Sequence, residues 1–154
     1  MKTLILRIEE LAAPLVRLAD GLQPLLLLFL RLWVANVFFK SGLTKIDDWD
    51  TTLLLFTEEY HVPLLPPPMA AALGTFGELF FPPLLAIGLT GRFAAAGLFV
   101  VNAMAVISYP GLTETAREFH YYWGMLLAAI ACFGPGLLSL DRLLLFWSRP
   151  PQDE

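Results

Sequence analysis

Four apolar stretches in this chain reach or approach the length needed to cross a bilayer, and two of them carry charge in their interior. A hydrocarbon core of about 30 Å takes roughly 20 helical residues. The stretches are Leu22 to Leu43, Met69 to Leu89, Phe93 to Tyr109, and Tyr121 to about Leu140. The first holds Arg31 and Lys40, and the second holds Glu78. Such charges must pair, reach an interface or serve a site, because hydrocarbon does not solvate them. With 57% of its 154 residues hydrophobic, the chain is richer in apolar side chains than a soluble globule of this size needs. The predicted fold is an all-α integral membrane protein, an antiparallel bundle of four transmembrane helices.

The flanks add smaller elements. Leu4, Ile8, Leu11, Leu15, Leu18 and Leu22 recur at spacings of four and three, while Arg7, Glu10 and Arg17 avoid that stripe. This predicts an amphipathic interfacial helix over residues 1–21, bent at Pro14, ahead of a membrane domain over 22–147 and a flexible tail over 148–154. Trp49 to Tyr60 predicts a short outer-loop helix, closed by the proline-rich Pro63 to Pro68, and Asp47, Asp48 and Asp50 suit its N-terminal cap. Gly134-Pro135-Gly136 should kink the last span, with Leu137 to Trp147 continuing it.

Positive charge sets the expected orientation. Lys2, Arg7, Arg17, Arg92, Arg142 and Arg149 fall on one side, against Lys45 and Arg117 on the other, so both termini are expected in the cytoplasm. The net charge of −4, with ten dispersed Lys and Arg, excludes a nucleic-acid surface. Cys132 is the only cysteine, which rules out an internal disulfide or a CxxC centre. No Ser-His-Asp arrangement, phosphate loop or haem motif is present, so a self-contained catalyst is not expected.

Depth estimates at about 1.5 Å per residue bring Arg31, Glu78 and Asn102 to similar middle heights, which suggests that they converge as a buried polar group. Arg31 and Lys40 lie nine positions apart, about 180° around the helix, so both cannot face one neighbour. The convergence could be an ion pair that fixes helix register, or the wall of a polar cavity for a quinone headgroup, proton, ion or small anion. His61 and His120, with Glu58 and Glu118 nearby in sequence, are weak metal candidates, since their spacing matches no metal motif.

The string Phe38-Phe39-Lys40-Ser41-Gly42-Leu43-Thr44-Lys45-Ile46 follows Leu30-Arg31-Leu32 and precedes Gly77-Glu78-Leu79 and Ile87-Gly88-Leu89-Thr90-Gly91-Arg92. In that order these motifs resemble the DoxX family over roughly Leu26 to Leu143. The resemblance carries Arg31, Ser41, Gly42, Lys45 and Glu78 as matched positions, with Lys40 an addition, and makes Lys45 a third claimant for Glu78. It implies a four-helix bacterial inner-membrane protein, in lipid with a protein partner or as a homo-oligomer. Its roles would be those of an accessory subunit of a redox or stress-response complex with a quinone-sized pocket. A membrane subunit of the thiosulfate:quinone oxidoreductase type, or a protein handling metal ions or small solutes, are the alternatives. Quinone is the one cofactor that the resemblance brings forward.

Overall fold

The computed structural model describes residues 2–148, with side chains described from Leu11 onward. Six helices follow in order: α1 (Lys2–Asp47), α2 (Trp49–Glu58), α3 (Pro67–Ile87), α4 (Gly91–Ser108), α5 (Glu114–Phe133) and α6 (Leu140–Trp147). The helices α1, α3, α4 and α5 close a ring of contacts, with α2 folded against α1 and α3. At the centre of that ring lie Val34, Ala35, Phe38, Leu85, Ala94, Ala95, Leu98, Leu127 and Ile130. A smaller cluster of Phe56, Ala70 and Ala71 fastens α2 over the start of α3.

Each boundary has a local cause. Asp48 caps α2 as its sequence suggested, its carboxylate accepting from the Thr51 amide at 3.0 Å and from the Thr51 hydroxyl at 2.7 Å. Prolines open α3, where the missing amide hydrogens have no intrahelical partner to lose. The chain leaves α3 through Gly88, whose φ of +71° closes the helix in a left-handed turn. The start of α4 is capped from a distance: Asp141 accepts from the amides of Thr90 at 2.7 Å and Gly91 at 2.9 Å. Close approach of α3 and α4 depends on Gly77, where a Cβ would lie 2.6 Å from Val101 Cγ2.

Two sequence expectations change, and a third stands in part. The N-terminal amphipathic stretch is no separate helix, because α1 runs unbroken from Lys2 to Asp47 through Pro14 and Pro24. At about 1.5 Å per residue such a helix is about 69 Å long, roughly twice the hydrocarbon thickness. The last span does not bend at Gly134-Pro135-Gly136 but stops at Phe133, since Gly134 (φ +94°) and Gly136 (φ +83°) leave helical geometry and Pro135 offers no amide hydrogen. Finally, three helices, α1, α3 and α4, are long and apolar enough to cross a membrane. The first two turns of α5 hold Glu114, Arg117, Glu118 and His120, so over a membrane-length window this 20-residue helix is less apolar than the other three. The expected tail over 148–154 lies, but for Ser148, outside the described residues.

Candidate functional site

The buried polar residues separate into three groups at different heights. At one end, Lys45 Nζ donates to Glu78 Oε2 at 2.7 Å and to Ser41 Oγ at 2.9 Å. Side-chain exposure of 19% for Lys45 and 11% for Glu78 makes this a half-sheltered ion pair rather than a surface one. Ser41 and Lys45 sit one turn apart on α1, and Gly42 between them lets α3 come close: a Cβ there would lie 2.8 Å from the Leu79 side chain. Thr52 of α2 donates its hydroxyl to the Lys45 carbonyl at 3.0 Å, tying α2 to the same turn.

Tyr60 covers this end. Its ring stacks on Phe56 at 4.6 Å and on Tyr109 at 4.8 Å, joining the chain after α2 to the end of α4. Burial pushes the Tyr60 phenol above its ordinary range, and the charge of Glu78 adds to this. The Glu59 carboxylate raises Tyr109 likewise. In the folded protein both groups therefore favour the neutral form. Their contribution to stability is complete below the ordinary tyrosine value of about 10 and is lost as pH rises through the raised folded value. We expect phenolate absorbance to lag behind that of free tyrosine in an alkaline titration of the folded protein, with unfolding following ionisation. Phe replacement at Tyr60 should remove most of that lag.

The second group joins α4 to α5. Asn102, 4% exposed, donates from Nδ2 to the His120 carbonyl at 2.9 Å, and its Oδ1 lies 2.8 Å from His120 Nδ1. The carbonyl decides the amide orientation, because a flipped Asn102 would set oxygen against oxygen. Oδ1 thus faces Nδ1, which must carry the imidazole proton, and Nε2 is left as a lone-pair acceptor in the neutral ring. The Trp123 indole packs edge-on to His120 at 5.0 Å, and its Nε1–H is buried with no acceptor among the described residues. Beside this pair a cleft of about 500 Å³ opens between α4 and α5. Its walls are Phe99, Ala103, Val106, Ile107, Gly124, Met125 and Ala128, with Asn102, His120 and Tyr121 as the polar residues.

The third group is Arg31, fully buried at the opposite end. Its Nη2 donates to the Leu138 carbonyl in the segment between α5 and α6, and Gly88 lies against Nη1. Close by, Arg92 donates to the carbonyls of Ala131 and Cys132, closing the C-terminus of α5. A hollow of about 360 Å³ lies between Pro24 and Leu27 of α1 and the chain from Phe133 to Leu145.

Arg31, Glu78 and Asn102 therefore do not meet. Arg31 has backbone carbonyl for a partner, Glu78 has Lys45, and Asn102 has His120. Lys40 is exposed on α1 and makes no ion pair among the described residues. His61 is exposed in the loop, its amide bonded to the Ser108 carbonyl at 2.7 Å, and Glu58 and Glu118 are exposed as well. No three His, Cys, Asp or Glu side chains among the described residues gather into a metal-sized group. The His120–Asn102 pairing was missed from sequence, although a signal existed. Asn102 lies six residues before the end of α4 and His120 six residues after the start of α5, so an antiparallel hairpin sets them at one height.

An all-α chain with three helices long and apolar enough to cross a membrane is a multi-pass membrane protein. The DoxX family matches residues 26–111, more than half of the sequence, and the chain belongs to that family. Multi-pass location in the bacterial inner membrane goes with this assignment. No curated protein and no solved structure matches the chain. The matched segment contains Arg31, Lys45, Glu78 and Asn102, whereas His120 lies beyond it.

Proposed function

We propose that this DoxX-family protein is an accessory membrane subunit of a redox or stress-response complex, and that it holds a quinone-type amphiphile between α4 and α5. Four antiparallel crossings, with both termini in the cytoplasm, complete the reading. The observation that carries it is the α4–α5 cleft. A volume of about 500 Å³ is ligand-sized, its walls are apolar, and its polar residues gather at Asn102 and His120. That combination suits a ligand with an apolar body and one hydrogen-bonding end.

The residues fit such a headgroup from their own chemistry. Asn102 fixes the His120 tautomer, so Nε2 is free to accept a hydroxyl proton, as a base must. A bound quinone would supply the redox chemistry that none of these side chains can. On this reading the pocket lies at Asn102 and His120 rather than at Arg31 and Glu78.

Isoprenoid quinone retained by the protein in native-lipid discs provides the test. His120→Leu, and separately Ala103→Phe to fill the cleft, should each reduce retained quinone by about tenfold, the effect of losing about 1.4 kcal/mol of binding, while thermal unfolding changes little. Glu78→Gln should leave it unchanged. Equal quinone in all four proteins, or none in well-folded wild type, would sink the proposal.

A further inference from the structure

We propose that α1 pairs with α1 of a second copy of this chain in a parallel, left-handed, two-stranded seam. The side of α1 that faces the bundle carries Arg31, Val34, Ala35, Phe38 and Gly42, all buried. The opposite side carries an unbroken seven-residue repeat. Its d positions are Leu11, Leu18, Leu25, Leu32, Phe39 and Ile46, and its a positions are Leu15, Leu22, Phe29, Asn36 and Leu43. The ten apolar members are 37% to 78% exposed. A strict repeat of seven along a helix of 3.6 residues per turn drifts unless two helices wind about each other, which gives the left-handed seam.

Two observations say that the occupant is another copy. From Leu11 to Gln23 no residue of α1 is buried, and Gly21 has nothing within 4 Å of a would-be Cβ, so this part projects from the bundle. The bundle itself uses about 24 residues of α1, roughly 36 Å, so the projecting leucines extend past the hydrocarbon, where lipid does not satisfy them. Asn36 is the second observation. It is exposed on the lipid side of a membrane-crossing helix and makes no hydrogen bond with any described residue. An amide facing hydrocarbon is costly unless paired, and a single asparagine at an a position is the residue that meets its own equivalent in a parallel pair.

Symmetry makes the rest consistent. Two copies inserted the same way in one membrane can pair along α1 only in parallel, about an axis normal to the bilayer, so Asn36 meets Asn36 and Leu18 meets Leu18. Arg17 and Asp20 occupy outward c and f positions, which keeps like charges out of the projecting seam. Together the ten side chains expose on the order of 1,000 Å² per copy, enough to supply the roughly 800 Å² per partner of a standard interface if most of it is covered.

Disulfide crosslinking of the full chain in phospholipid vesicles tests this, with Cys132→Ser removing the native thiol. Leu18→Cys and Leu22→Cys should give crosslinked dimer at a yield about fivefold or more above Val16→Cys and Asp20→Cys, because seam positions approach one another and b and f positions point apart. Asn36→Leu should lower the Leu18→Cys yield, and Asn36→Gln should restore part of it. Equal yields at the four positions, or a monomer throughout despite full labelling of each thiol, would overturn the proposal. The second result would mean that the stripe lies on lipid or waits for a different protein.

Discussion

Replacing Lys45 with methionine should destabilise the protein by about 3 kcal/mol, at the lower end of what breaking a buried ion pair costs because both partners keep slight access to solvent. The loss comes mainly from Glu78, which would be left sheltered against α1 without its ammonium partner. A pair of this kind contributes little beyond what two apolar side chains would, so most of the cost is that of the orphan. Lys45→Met combined with Glu78→Met should therefore recover most of the lost stability, and the two changes should couple by about 2 kcal/mol in a double-mutant cycle. Thermal unfolding in mild detergent measures all four corners. If Lys45→Met alone were as stable as wild type, the 2.7 Å contact would be ornamental, and the height given to Glu78 would need another explanation.

Gly88→Ala should be comparably damaging at the other end. Its left-handed φ of +71° costs an alanine about 1–2 kcal/mol, and the added Cβ would lie 2.1 Å from Arg31 Nη1 and 3.1 Å from the Ser139 Cα. The guanidinium must then withdraw from the Leu138 carbonyl, and a buried cation loses a partner. A total of about 3 kcal/mol or more follows. Gly21→Ala is the matched control: nothing lies within 4 Å of its Cβ, and the change should stabilise α1 by about 0.5–1 kcal/mol. Shortening Arg31 in the Gly88→Ala background should relieve part of the clash. Full additivity of those two changes would show that Arg31 and Gly88 do not share the space described above.

Much of this architecture could be read from residue patterns. The helical extents of α2, α3 and α4 and the Asp48 cap follow from local chemistry, and the family resemblance brought Lys45 forward as one claimant for Glu78. What could not be read depended on azimuth and on backbone. Heights estimated from residue counts brought Arg31, Glu78 and Asn102 together, but height does not say which way a side chain points. The true partner of Arg31 is a carbonyl from a segment where glycines and a proline break the helix, and carbonyls carry no sequence signature. The N-terminal stripe was ambiguous for a different reason. Leucines at alternating spacings of three and four describe an interfacial helix and a helix–helix seam equally well, and only the unbroken course of α1 separates them.

Between Arg31 and the Lys45–Glu78 pair, α1 climbs about 21 Å, and every buried side chain that it contributes on the way is hydrocarbon: Val34, Ala35 and Phe38. Leu85, Leu98 and Leu127, each 0% exposed, close the same level from the other helices. This layer is an electrical insulator set across the bundle. None of the buried side chains in this layer carries a charge, so the charged groups at the two ends stand apart.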